Sequence, residues 1–253
     1  MEETFTLAHK GLQIPCKLTV ADNGPVERIV LGVHGFGGSK DDRIQMDLAE
    51  EMSLFSGAAF RFDFPGHGES PLQELTLEAS RESLLAVAAE ARRRYPQLED
   101  LCIFATGFGA YVTLLALPEL GKLPGRVKLV VQTPSVRMDK TLLAMTGLTK
   151  QTFWAMDRYT VPAPRPFDVT YSFYEQLCAN SVMAEAPIPM LILHGEADDY
   201  IRGTDLEQFR MLNDASELVI IPGASHRFLE PGAWDMVVDL TRDWFEFEQV
   251  LLM

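Results

Sequence analysis

Asp198, in LILHGEADDYI, and His226, in IIPGASHRF, are the residues of this chain best suited to moving protons. Each follows an apolar run that reads as a buried strand, and Asp198 is thereby aimed at the carboxyl edge of a sheet. An acid that orients an imidazole and an imidazole that carries a proton do general-base work if their loops bring them to one point. Asp199 is the neighbouring alternative to Asp198, and a lone histidine in a loop also suits an ordinary surface position. Two further loops hold what acyl transfer needs beyond a base. HGFGGSK, His34 to Lys40, has glycines that let backbone approach a substrate, leaving the Phe36 amide free to donate to a developing oxyanion. LCIFATGFGAYV, residues 101–112, reads as a strand, a tight turn and a helix with Gly107 at the apex. Small residues on either side, Ala105 and Gly109, permit a sharp elbow, and the Phe108 amide at the helix start is a second donor. Taken singly, each glycine-rich stretch is also explained by a plain turn.

Those four loops need a scaffold that ends them all on one edge. The runs RIVLGVHG, AAFRFDF, LCIFAT, VKLVVQT, PMLILHG and ELVIIPG are apolar without strict alternation, as suits parallel strands covered on both faces. Helical patterns lie between them. Thr76 can cap a helix whose apolar side is Leu77, Leu84, Leu85 and Ala88, while DLEQFRML and AWDMVVDLTRDWFEFEQV supply later ones. The alternation predicts an α/β fold: a doubly wound, mostly parallel sheet in a single domain spanning 1–253. One stretch breaks the rhythm, from about 136 to 186, where FWAMDRYTVPAPRPFDVTYSFYEQL is rich in aromatics and prolines. At the carboxyl edge of a sheet such an insertion is expected to form a lid. Trp154, Tyr159, Phe167 and Tyr174 are expected to include residues lining an apolar pocket above Gly107 and stacking on a planar acyl group.

Composition narrows the partners. With 22 Lys and Arg against 36 Asp and Glu the formal charge is −14, which repels a phosphate backbone, so nucleic acid is not expected. No run approaches the roughly 20 apolar residues of a membrane span, and the acidic start MEETFTLAHKGLQIPCKLTV lacks a leader pattern. A soluble, cytoplasmic protein without a membrane partner is expected. Cys16, Cys102 and Cys178 are far apart with no C-x-x-C pair, so neither disulfides nor a metal site is indicated, and all three are expected to be buried.

In order along the chain, HGFGG, FDFPGHGES, ATGFGAY, HGEADDYI and GASHRF resemble the α/β-hydrolase superfamily over nearly the whole length. The insertion, with RPFDVTYSFYEQL just before the acid strand, is similar to that of the small bacterial cinnamoyl and feruloyl esterases. The resemblance implies His226 as general base, Asp198 as its orienting acid, the Phe36 and Phe108 amides as oxyanion hole, and Gly107 in the nucleophile's place. It implies a small-molecule ester as partner and no cofactor; the oligomeric state, a homodimer included, stays open. The departure is Gly107, where the family's motif G-x-S-x-G has serine. Without a side chain no acyl-enzyme forms there. An inactivated esterase, a pseudo-hydrolase that binds a small ligand, and an enzyme with no covalent step are the three readings. Survival of histidine, aspartate and both loops favours the first. Thr106 and Ser135 are the nearest hydroxyls, and neither is expected to replace the serine.

Overall fold

In the computed structural model, which describes residues 1–21, 26–53, 57–71, 74–162 and 165–246, the apolar runs become strands of one sheet. Its eight strands are β1 (Glu2–His9), β2 (Leu12–Val20), β3 (Arg28–Val33), β4 (Gly57–Phe62), β5 (Asp100–Thr106), β6 (Arg126–Gln132), β9 (Met190–Gly195) and β10 (Glu217–Ile221). They lie in the order β1-β2-β4-β3-β5-β6-β9-β10. From β4 to β10 every neighbouring pair is parallel, whereas β1, β2 and β4 pair antiparallel. The β1–β2 hairpin carries no strong apolar run, and sequence reading passes over it. Its exposed face and edge position explain the weak signal.

Period-two alternation sorts the strand residues between two cores. On one face Ile29, Leu31, Ile103, Ala105, Leu129, Val131 and Ile192 pack under α2 (Leu77–Arg94), α3 (Gly107–Leu120) and α7 (Gly203–Leu212). On the other, Val30, Cys102, Phe104, Val130, Leu191 and Leu193 meet Leu48 and Met52 of α1 (Arg43–Ser53) and Ala233 and Val237 of α8 (Ala233–Trp244). The sheet is doubly wound, as the sequence predicts. Thr76 caps α2 by accepting from the Ala79 amide at 3.2 Å, and Leu77, Leu84 and Ala88 are buried. The helical pattern read to 250 ends, among described residues, at Trp244; positions 247–250 lie outside them.

The stretch 136–186 holds α4 (Met138–Thr146), α5 (Lys150–Met156), a hairpin of β7 (Arg158–Val161) and β8 (Phe167–Thr170), and α6 (Tyr171–Ala179). Much of it belongs to the main core: Phe153, Phe167, Val169, Phe173, Tyr174 and Leu177 are all buried there. Cys16 and Cys102 are buried, and burial pushes both thiols up to about 12. Cys178 departs from expectation: it is exposed, on the outer side of α6. Among the described residues no helix is long and apolar enough to cross a membrane, and no cluster of His, Cys, Asp and Glu could hold a metal ion.

Behind the carboxyl edge, two buried histidines join the loop after β3 to the loop after β4. His34 donates from Nδ1 to the Gly35 carbonyl at 2.8 Å and accepts from the Phe64 amide at Nε2, 3.1 Å away, so its neutral tautomer is assigned by its partners. His67 donates to the Pro65 carbonyl at 2.9 Å and lies among Phe36, Phe167 and His34. Burial, and then the nearness of His34, pushes the His67 pKa down to about 3. An unfolded histidine titrates near about 6.5. The folded value being the lower, the stability that neutral His67 contributes is complete above about pH 6.5 and is lost as pH falls toward 3, at about 1.4 kcal/mol per pH unit. Urea unfolding followed from about pH 7 to about pH 5 is expected to show the parent chain losing stability more steeply than His67→Gln. Parallel slopes would mean that folded His67 takes up the proton.

Candidate functional site

At the end of β5 the chain turns directly into α3, with Gly107 at φ +49°. An L-residue tolerates that left-handed conformation at a cost, and glycine does not incur it. There is room for a side chain: an ideal Cβ on Gly107 would meet nothing nearer than the Gly35 Cα at 3.9 Å and the Ser135 Oγ at 4.0 Å. Gly109 differs. A Cβ there would come within 2.4 Å of the His34 carbonyl oxygen and 2.8 Å of that of Val33, so α3 starts hard against the end of β3. That close packing sets the Phe108 amide in the first helical turn, whose N–H groups have no acceptor within the helix.

The loop after β3 approaches from the other side. Gly38 donates to the Gly35 carbonyl at 3.1 Å, and the Phe36 ring stands edge-on to Phe108, Phe167 and His67. Phe36 and Phe108 both lie on the wall of a cavity of about 320 Å³ that also takes in Gly107, Thr106, Gln132, Thr133, Ser135, Tyr200 and His226. Thr133, beside β6, holds a positive φ of 43°, a strained backbone for a β-branched residue at the edge of a cavity. Thr106 directs its hydroxyl to the Val33 carbonyl at 3.5 Å. Ser135 is tied through its amide to the Gly107 carbonyl at 3.2 Å.

The loops after β9 and β10 bring Asp198 and His226 together. His226 Nδ1 donates to Asp198 Oδ2 at 2.8 Å. Asp198 Oδ1 accepts from the Tyr200 and Ile201 amides at 2.8 and 2.9 Å, and the Asp198 side chain is fully shielded from water. Burial works against its charge. The hydrogen bond and charge of His226 and the two amides outweigh it and hold the carboxyl below the usual range. Asp199, by contrast, is exposed and lines a different cavity. Beneath the pair, burial lowers the His194 pKa, and its Nδ1 sits 3.7 Å from Asp198 Oδ2 without a hydrogen bond. The Tyr200 ring stands edge-on to His226 with centroids 5.2 Å apart. An imidazole anchored through Nδ1 presents Nε2 for proton transfer, and the His226 ring borders the same cavity as Gly107, Phe36 and Phe108.

The aromatic expectation needs correction. None of Trp154, Tyr159, Phe167 and Tyr174 lines this cavity. Trp154 is 69% exposed on α5, Phe167 is buried behind Phe36, Tyr174 packs at a tilt against Phe153 and Tyr171, and Tyr159 packs partly buried against the core. Phe167 and Tyr174, with large apolar areas, bury in the core before they line an open cleft, whereas Trp154 faces solvent. The insertion's own contribution to the wall is Met145 of α4. Arg43 and Ile44 at the start of α1, and Arg227 and Leu229 in the loop after β10, also line it, and no sequence pattern marks them.

A model described as the alpha/beta hydrolase family matches residues 30–240. Among solved structures, Est1E from Butyrivibrio proteoclasticus, described with ferulic acid bound, superposes with a TM-score of 0.81 at 20% identity, covering 97% of this chain and 99% of that one. Alpha/beta hydrolase domain-containing protein 10 from mouse gives 0.74 at 16% identity over 96% and 98% of the two chains. The alpha/beta hydrolase GrgF from Penicillium sp. sh18 gives 0.77 at 14% over 99% and 100%. At these identities the likeness is one of fold. No curated protein matches the sequence.

The two glycines of the turn should respond differently to a methyl group. Gly107→Ala is expected to cost about 1–2 kcal/mol, the backbone penalty alone. Gly109→Ala adds a clash with two carbonyls, and overpacking of that kind costs about 1–3 kcal/mol or more. Thermal melting of both variants checks the order; an equal or smaller loss at Gly109 would mean that α3 does not start against β3.

Proposed function

The chain belongs to the alpha/beta hydrolase family, and within it we propose a carboxylic-ester hydrolase site of the Ser-His-Asp type in which Gly107 occupies the nucleophile's place. The observation that carries this reading is the His226–Asp198 bond of 2.8 Å on the wall of the cavity that opens at Gly107. The substrates are esters of small or aromatic acids, in keeping with a cavity of about 320 Å³ and its apolar Phe36, Phe108, Ile44 and Met145. The segment 136–186 acts as the lid through α4, with Met145 over the site. With no side chain at Gly107, this chain forms no acyl-enzyme and is silent as an esterase.

A serine at that position completes the chemistry. Its Oγ would attack the ester carbonyl while His226 Nε2 takes the proton, and Asp198 would stabilise the imidazolium. The Phe36 and Phe108 amides would receive the oxyanion, each worth about 3–4 kcal/mol in the transition state. His226 then returns the proton to the leaving alcohol, and water repeats the sequence on the acyl group. Gly107 itself favours the rival reading, a pseudo-hydrolase that binds a small ligand without cleaving it.

Gly107→Ser should remain folded, because the Cβ has room and the left-handed backbone costs only about 1–3 kcal/mol. It is expected to hydrolyse a chromogenic acetate ester and methyl ferulate and to take a fluorophosphonate label, while the parent chain does neither. A folded variant that shows neither turnover nor label would leave the ligand-binding reading in place.

A further inference from the structure

A second cavity, of about 330 Å³, lies beside the first, between the start of α4 and the loop that follows Asp198. The two share Tyr200, and Ala144 and Met145, successive residues of α4, line one each. Its charge runs against that of the chain. The protein carries 36 acidic residues to 22 basic ones, yet this wall has Arg137, Lys140 and Arg202 against Asp199 and Asp205. Arg202 is taken up by Asp205 through three contacts of 3.0–3.3 Å. Arg137 and Lys140 have no side-chain hydrogen bond or ion pair among the described residues, and Arg137 Nε is shut from solvent without a partner. Arg137 also stands at the N-cap of α4, a nine-residue helix whose first amides have no side-chain cap.

A partly buried guanidinium without an ion-pair partner is costly, and Asp199, the acid on this wall that Arg202 does not take up, is not paired with it. A ligand anion in the cavity would supply what the protein does not. The guanidinium fork pairs with carboxylate or phosphate oxygens, and Lys140 adds a point charge. Arg227, next to His226 on the wall of the first cavity, extends the positive field toward the reacting position.

We propose that this second cavity is an anion subsite, holding a carboxylate or phosphate at the far end of a ligand whose ester group lies at Gly107. The inference rests on the ester-hydrolase reading and narrows its substrates to esters with an anionic tail. Monomethyl adipate and dimethyl adipate are matched probes, alike in ester and chain and different in one charge. Calorimetry on the parent chain, which cleaves neither, is expected to show the half-ester binding about ten-fold more tightly, the preference shrinking with salt. Arg137→Gln combined with Lys140→Gln should remove that preference, and Lys140→Gln alone, at an exposed position, should reduce it in case the double variant does not fold. In the Gly107→Ser background the same preference should appear in KM rather than kcat. Competition of inorganic phosphate and of acetate against the half-ester shows which oxyanion is preferred.

Equal binding of the two adipates by the parent chain, or a preference untouched by a folded Arg137/Lys140 variant, overturns the subsite even where Gly107→Ser turns over both. A charge-dependent preference in the parent chain with no turnover by Gly107→Ser upholds the subsite and removes the hydrolase reading instead.

Discussion

The carboxylate of Asp63 is the interaction on which the geometry of the site depends. Fully shielded from water, it accepts from the Lys40 amide at 2.7 Å, the Lys40 ammonium at 2.8 Å and the Glu69 amide at 2.8 Å. It thereby ties the loop after β3, which carries Phe36, to the loop after β4. Arg61 reinforces the tie by donating to the Lys40 carbonyl at 2.8 Å. Lys40 is itself buried, and although burial works against its charge, Asp63 and Glu69 keep it protonated. A buried ion pair of this kind contributes little net stability, but losing one partner costs about 3–5 kcal/mol because the other charge is stranded. The pair specifies where a loop sits more than it stabilises the fold.

Everything chemical in the molecule follows from where parallel strands end. The loops after β3, β5, β9 and β10 place Phe36, Gly107, Asp198 and His226 at one edge, and the neutral His34 and His67 fill the space beneath the first of them. Left-handed backbone recurs at the same edge, at Gly107 with φ +49°, which glycine adopts freely, and at Thr133 with φ 43°, where a β-branched residue is strained. The tight fit of Gly109 against the end of β3 fixes where the turn at Gly107 sits.

The insertion shows how apolar burial competes with ligand binding for the same residue types. Phe153, Phe167, Phe173 and Tyr174 are drawn into the core with the sheet, leaving Met145 and the charged start of α4 next to the cavities. Charge, more than aromatic surface, then distinguishes the two neighbouring cavities from the rest of a strongly acidic chain.

The sequence by itself determined the parallel sheet, because runs such as LCIFAT and PMLILHG are apolar on both faces and only a doubly covered strand tolerates that. It also offered Gly107, Asp198 and His226 as candidates, because each comes just after an apolar run that reads as a strand. The β1–β2 hairpin was not legible, because its residues face water on one side and pair at an edge. Tertiary structure alone decided between Asp198 and Asp199: adjacent carboxylates have the same local signal, and only the meeting of two loops buries one of them against the His226 ring. It also decided that Trp154, Tyr159, Phe167 and Tyr174 stay out of the cavity and that Arg137 and Lys140 come beside it. Composition states how apolar or charged a segment is, but which of its faces turns toward a neighbour is settled by packing against parts of the chain far away in sequence.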